Sequence, residues 1–510
     1  MKHLTAWVLV LLILLSTFFS GCSGSAENPP ASGDSACSHV DEDNNGNCDL
    51  CSVSVLVNLD FYAVNDLHGK FRDTASQPGV DELSTFLRRA YFAEDNVIIL
   101  SSGDMWQGSS ESNLTQGLIM TEWMNDMDFV SMTLGNHEFD WGEDMILQNH
   151  NIAEFPFLGI NIYDRETHQR VDYCEPSVIV EKSGIQIGII GAMGDCYSSI
   201  AADHTKGIYF VNGRELTELV KAESKRLREA GADVIVYSIH DGYGGTNYGD
   251  TATAGMLESF YDVALSDGYV DLVFEAHTHR FYVKKDQHGV YHLQGGGDNT
   301  GISYVDMDYN TANGNTIVNT AEFVGTEKYV AFSDDPIVER LLDKYQDKVS
   351  IGDRVLGYNS RPRNGNELRS ICADLYYKKG VELWGQEYNI VLGGGFFSVR
   401  APGSLETGNV SYSQLQMLMP FDNYLVLCSI KGRDLKEKFF ETDHRNYFIS
   451  YGDYGAQVRQ KLDPDGTYYI VVDSYTSTYG PNNLTEIVRY TEDVFARDLL
   501  ADYISTGALQ

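Results

Sequence analysis

The hexapeptide Gly135-Asn136-His137-Glu138-Phe139-Asp140 crowds an amide, an imidazole and two carboxylates into one turn after the apolar stretch 129–134. Packing gives no reason for such a cluster. Asn136 is a metal-capable amide; His137 can move a proton, and Asp140, three residues on, can orient it. Four other turns carry similar chemistry: Asp66-x-His68, Gly103-Asp104, His240 and His277-Thr278-His279. An isolated Asp-x-His is usually a polar turn, and a lone His after a strand is usually a hydrogen-bonded structural residue. Five such turns in order have a common chemical meaning: carboxylates, imidazoles and one amide, with no thiolate among them, suit divalent ions such as zinc or manganese. Two ions about 3.5–4 Å apart can activate a hydroxide and hold a phosphoryl group for in-line attack. One carboxylate must then sit between them, and Asp104 is the candidate.

Each turn follows a strand-like apolar run: 55–64, 97–100, 129–134, 234–239 and 270–274, with a further run at 185–190. Helical periodicity lies between the runs, most clearly over 214–230 before Gly231, which is the pattern of a layered α/β domain. Ligands gather beyond the carboxyl ends of strands in such folds, so five loops can converge on one place. The segment 334–349, with Pro336 near its start and Ile337, Leu341, Tyr345 and Val349 on one face, reads as a single helix joining two domains. Beyond it, 351–510 carries a helix near 368–377, then strands and aromatic loops.

These motifs resemble the metallophosphoesterases of the calcineurin-like fold. Within them the chain is similar to the secreted 5'-nucleotidase/UDP-sugar hydrolase group, from residue 56 to the C-terminus. The resemblance implies an α/β architecture: two packed mixed sheets flanked by helices over 55–331, a linker helix at 332–350, and a smaller α+β substrate-binding domain over 351–510. It implies one ion on Asp66, His68, Asp104 and His279 and another on Asp104, Asn136, His240 and His277. His137 would act on the leaving group with Asp140 orienting it. The family's final motif is Gly-His-x-His, and Ala276 replaces the Gly here.

Substrate recognition is expected from the C-terminal part. Gly393-Gly394-Gly395-Phe396-Phe397-Ser398-Val399-Arg400 reads as a Gly-rich turn that a ligand can approach closely, joined to a cation suited to phosphate. The family carries a similar turn, usually led by Asn where this chain has Leu392. Arg361 lies where the family places another phosphate-binding Arg, and is preferred over Arg363. Pro420-Phe421-Asp422-Asn423 resembles the family's Pro-Phe-Gly-Asn turn, in which the Phe stacks on the nucleobase and the Asn contacts it. The partner of that clamp departs from the family: Tyr479-Gly480-Pro481-Asn482-Asn483 replaces Gly-Gly-Asp-Gly plus an aromatic, leaving Tyr479 or Tyr475 to complete it.

Composition fits this reading. The chain has 510 residues, 43% hydrophobic and 22% charged, enough for two folded domains. With 37 Lys+Arg against 73 Asp+Glu, the net charge of -36 repels nucleic acid, while a small phosphate ester depends on local cations because distant charges are screened beyond about 8 Å. The apolar run 6–19 is too short to span a membrane and reads as a signal peptide. Phe18-Phe19-Ser20-Gly21-Cys22 resembles a lipoprotein cleavage box, making 1–22 the leader and Cys22 the lipid-bearing residue; an ordinary signal peptide cut nearby is the other reading. Residues 23–54 would form a flexible tether ending in an acidic Cys/His module. In that module Asp41, Asp43, Asn45, Gly46 and Asp49 match a calcium loop that lacks its closing Glu, whereas Cys37, His39, Cys48 and Cys51 match a zinc site. A solvated acidic linker without an ion is the third reading.

The expected activity is release of phosphate from nucleoside 5'-monophosphates. Alternatives are a cyclic-nucleotide or nucleotide-sugar hydrolase of the same family, or a surface binding or adhesion protein that keeps the metal site.

Overall fold

The structure, a computed structural model, describes residues 37–73, 78–93, 95–242, 265–396, 403–441, 447–450, 461–479 and 486–510. Fourteen strands form the first part of the fold: β1 (Leu56–Val64), β2 (Val97–Ser101), β3 (Phe129–Thr133), β4 (Phe157–Leu158), β5 (Ile162–Asp164), β6 (Ser177–Lys182), β7 (Ile185–Met193), β8 (Ile208–Phe210), β9 (Val234–His240), β10 (Leu272–Phe274), β11 (Phe281–Lys285), β12 (Tyr291–Gly295), β13 (Gly301–Asn310) and β14 (Thr316–Gly325). They make two six-stranded sheets, ordered β14-β13-β1-β2-β3-β4 and β11-β12-β10-β9-β7-β6. Strands β1 to β4 run parallel, as do β7, β9, β10 and β12, and the remaining edge strands are antiparallel.

The sheets face each other across a core in which Leu59, Phe61, Leu100 and Val305 meet Ile187, Val236, Phe274 and Leu293. Helices cover both outer faces. Leu83, Trp123, Ile146 and Leu341 come from four helices over the first sheet, and Leu216, Val220 and Leu227 line the helix Gly213–Glu229 over the second. Being covered on both sides explains why β2 and β9 are buried at every position and read as unbroken apolar runs. The parallel order brings the carboxyl ends of β1, β2 and β3 beside those of β9 and β10.

The linker departs from the expected single helix. It consists of two helices, Pro336–Lys344 and Gln346–Val349, broken at Tyr345. There the backbone leaves helical torsions (φ -102°, ψ 15°), and the phenol donates to Glu122 at 2.6 Å. Asp335 caps the first helix by accepting from Ile337 N–H at 2.9 Å, with Pro336 in the first turn.

The second part contains β15 (Val355–Asn359), β16 (Ile390–Phe396), β17 (Gly408–Ser411), β18 (Tyr424–Lys431), β19 (Tyr447–Ser450), β20 (Thr467–Asp473) and β21 (Glu486–Phe495). A five-stranded sheet, β19-β16-β20-β18-β21, packs against the helix Gly365–Trp384, longer than periodicity indicated and started by a reciprocal Asn364/Glu367 capping box. The triple glycine is a correction to the sequence reading. Gly393, Gly394 and Gly395 form no turn but lie inside β16, paired to Ser450, Ile449 and Phe448. A Cβ on Gly393 would stand 2.4 Å from the backbone N of Tyr377, so the missing side chain lets the helix settle on the strand.

Candidate metal centre

The first loop turns sharply after β1, placing Asp66 and His68 at φ of 49° and 50°. His68 Nδ1 lies 2.9 Å from the Gln107 carbonyl, which fixes the proton on that nitrogen and makes Nε2 the one to accept or ligate. Nε2 faces His279 Nε2 at 3.0 Å, and the latter is 3.5 Å from Asp66 Oδ1. Both oxygens of Asp66 accept from the His277 N–H, at 2.8 and 2.9 Å, tying the first loop to the last.

The second cluster forms around His240 at the end of β9. Its Nδ1 donates to the Ser102 carbonyl at 2.7 Å, so Nε2 points at Asp104 Oδ2 and Asn136 Oδ1, each 3.2 Å away. His277 lies with its ring 5.4 Å from that of His240. Asp104 sits between the clusters, Oδ2 being 4.0 Å from His68 Nε2. All seven side chains expected to bind metal therefore meet in one place, five of them (Asp66, His68, Asp104, His277 and His279) at positive φ.

This donor set fits divalent cations. Asp66, His68, Asp104 and His240 are each 1% exposed or less, and buried carboxylates need compensating charge. Burial alone would raise the Asp104 carboxyl, yet His240, His137 and His68 hold it well below its ordinary value. Burial likewise opposes a charged His240, and Asp104 overrides it, pushing the imidazole up to about 10. Crowded nitrogens facing one another around such carboxylates form a cradle for positive charge, and nitrogen and oxygen donors suit zinc or manganese.

His137 stands beside this cradle, its backbone N–H donating to Asp104 Oδ1 at 2.8 Å. Its Nδ1 is 2.7 Å from Asp140 Oδ2, which holds the ring and assigns the chemistry to Nε2. The hexapeptide turn approaches so closely that a Cβ on Gly135 would fall 2.4 Å from Asp104 Oδ1.

Sequence reasoning missed three supports. The buried Glu138 carboxylate accepts from the backbone N–H groups of Asp104 (2.9 Å), Met105 (2.8 Å) and Gly135 (2.7 Å), clamping two metal loops together. Cys196 approaches His240 and His277, so a sulfur stands next to a site read as free of thiolate. It donates to the His240 carbonyl at 2.8 Å, and burial followed by the charge of Asp241 pushes it well above its ordinary range, keeping it a thiol. Behind the last loop, His292 bridges Glu275 at 2.9 Å and Asp286 at 3.3 Å. Burial opposes its charge, but the hydrogen bonds to Asp286 and Glu275 prevail and raise it to about 9.

The substrate-side residues are less concentrated. Phe421 reaches the centre, stacking on His137 with ring centroids 5.8 Å apart and planes 21° from parallel. Its turn is held by Arg497, a buried residue with no sequence signal, which donates to the Met419 carbonyl at 3.1 Å and pairs with Asp422. Asn423 Oδ1 accepts from Ser474 Oγ at 3.1 Å. Arg361 is exposed and pairs with Glu367 at 2.7 Å. Gly394 and Gly395 lie in β16, Tyr479 ends the helix Ser474–Tyr479, and Arg400 falls outside the described residues.

A family model described as calcineurin-like phosphoesterase matches residues 59–281. The chain is 24% identical to Protein UshA of Yersinia enterocolitica over 486 residues, 86% of this chain and 85% of that protein. A 5'-nucleotidase of Vibrio cholerae is 31% identical over 221 residues, covering 42% of this chain but only 39% of the relative. The solved 5'-nucleotidase precursor from Thermus thermophilus superposes with a TM-score of 0.68 over 88% of this chain and 96% of its own, at 19% identity, a likeness of fold.

Proposed function

We propose, from the match of residues 59–281 to the calcineurin-like phosphoesterase model, that the chain is a dinuclear-metal phosphomonoesterase releasing phosphate from nucleoside 5'-monophosphates. The observation that carries it is the position of Asp104 between the His68/His279 and His240/Asn136 clusters. Asp66, His68, Asp104 and His279 would hold one ion, and Asp104, Asn136, His240 and His277 the other. When bound, zinc or manganese there supplies Lewis-acid activation of water and neutralisation of phosphoryl charge.

The chain's own groups do the rest. Attack of water on phosphorus breaks the bond to the nucleoside 5'-oxygen, and His137 Nε2 hands that oxygen a proton while Asp140 fixes the ring. Arg361, Arg400 and the backbone of Gly394 and Gly395 are proposed for phosphate. Phe421, Asn423 and Tyr479 are proposed for the base. The segment 1–22 is proposed as a lipoprotein leader that places the enzyme at a bacterial cell surface through Cys22. Among the described residues no helix is long and apolar enough to cross a membrane.

The test is phosphate release from a panel of nucleoside monophosphates, cyclic nucleotides, nucleotide sugars and aryl phosphates with manganese or zinc. Wild type should be active on the 5'-monophosphates and His137→Ala and Asp104→Ala should not. A wild type inert on the whole panel would favour the binding-protein reading instead.

A further inference from the structure

Within residues 37–51 lies a second cluster of soft donors, separate from the phosphoesterase loops. Cys37, His39, Cys48 and Cys51 place one ligand atom each within 4.8 Å of all the others. A tetrahedral zinc ion with bonds of about 2.3 Å to sulfur and about 2.0–2.1 Å to nitrogen requires edges of about 3.8 Å between two sulfurs and about 3.6 Å between sulfur and nitrogen. Two of the edges can be compared directly. Cys37 Sγ is 3.7 Å from Cys48 Sγ, and Cys51 Sγ is 3.5 Å from His39 Nδ1. These two edges match a tetrahedral site, and the other four lie within 4.8 Å.

The carboxylates of the calcium alternative are already engaged by local donors. Asp41 Oδ1 accepts from Asn45 N–H at 3.0 Å, and its Oδ2 accepts from Gly46 N–H at 3.0 Å and from Asn310 Nδ2 at 2.6 Å. Asp43 is taken up by Asn45 at 3.2 and 2.8 Å, and Asp49 accepts from Glu42 N–H at 2.8 Å. The twelfth loop position is Ser52, which offers no bidentate carboxylate. The acidic residues shape the loop and fasten it instead. Asn313 Nδ2 donates to the Asp41 carbonyl at 3.2 Å, and Asn44 Oδ1 accepts from Asn313 and Asn315 at 2.7 and 3.1 Å, joining the module to the β13–β14 turn. An antiparallel bridge, Asn47 to Ser54, then leads straight into β1.

We propose that Cys37, His39, Cys48 and Cys51 bind one structural zinc ion, with release of the thiol protons, and that this ion fixes the segment entering β1 onto the β13–β14 turn. It has no part in phosphate release and is independent of the substrate reading.

Cobalt(II) tests it on the full, reduced chain, because only a thiolate site gives sulfur-to-cobalt charge transfer in the near ultraviolet together with intense tetrahedral visible bands. Wild type and Asp104→Ala should both show these bands, while Cys48→Ser and Cys51→Ser should lose them and hold one zinc fewer per chain. Zinc added to the stripped protein should raise the melting temperature of Asp104→Ala. Wild type without the sulfur-to-cobalt band would overturn the proposal, as would a Cys37–Cys48 disulfide in the native protein by intact mass, or calcium raising the melting temperature where zinc does not. If the cysteine variants fail to fold, the wild-type and Asp104→Ala spectra decide alone.

Discussion

The loops beyond β1, β2, β3, β9 and β10 and the segments around Phe421 pair their polar groups in opposite ways. In the first region, side chains from distant parts of the sequence face one another: Asp104 with His240, His68 with His279, and Asp66 with the backbone of His277. In the second, residues proposed to meet substrate are taken up by a neighbour: Arg361 by Glu367, and Asn423 by Ser474 at the neighbouring strand end. On the proposed reading, the reactive groups would be set in advance on the double sheet, whereas the substrate-side groups would have to exchange a local partner for a ligand. Losses in the first region should therefore be uniform across substrates, and losses in the second selective.

The harshest test is Asp104→Ala. Removing a group that merely supports a metal ligand costs about 10–100-fold, so removing a carboxylate shared by two ions should exceed the product, about 10⁴-fold in kcat/KM, equally for every substrate. A loss confined to nucleotides would break the contrast. Next comes His137→Ala, with a fall of about 10²–10⁴-fold in kcat for AMP and a smaller one for p-nitrophenyl phosphate, whose leaving group needs no proton. Equal falls would deny His137 its acid role. Glu138→Gln keeps the shape but weakens the acceptor for four backbone donors, so activity should drop about 10–100-fold and metal content with it. Full activity at normal metal content would show that the clamp is dispensable.

Phe421→Ala sharpens the other side of the contrast. Stacking on a base is worth about 1–3 kcal/mol, so KM for AMP should rise about tenfold while KM for a small aryl phosphate stays put. A matching effect on both would make Phe421 a cover for His137 and nothing more. The gentlest effect is on stability. His292 is raised from 6.5 to about 9 by its two carboxylates, so its contribution is complete below about pH 6.5 and is lost as pH rises through 9. Melting curves of His292→Gln should lie below wild type at pH 6 and converge with it above pH 9; parallel curves throughout would mean that the trio is neutral in the fold.

The layered α/β character was legible because strands covered on both faces, such as β9, announce themselves as unbroken apolar runs, whereas the two-sheet arrangement was implied only by the family resemblance. The convergence of the five polar loops was legible because each directly follows such a run. Glu138 was visible in the hexapeptide, but its role was not: besides Gly135 its partners are backbone N–H groups more than thirty residues away, and these leave no mark in side-chain chemistry. Arg497 was hidden for the same reason, since it holds the Phe421 turn largely through carbonyls. Gly393 misled because a run of glycines signals a turn, yet here the absent side chain serves helix packing. Tyr345 fitted the helical stripe that it interrupts, and periodicity reveals neither the break there nor the bond to Glu122 that accompanies it.

The left-handed backbone at Asp66, His68, Asp104, His277 and His279 bears on how this chain can drift under mutation. Such conformations cost about 1–3 kcal/mol each for ordinary residues, and glycine relieves them. A lineage released from selection on the chemistry would gain stability with each ligand exchanged for glycine, and the exchanges would be favoured one at a time. Exchange of any one of the five for glycine should therefore relieve backbone strain at the expense of a candidate ligand.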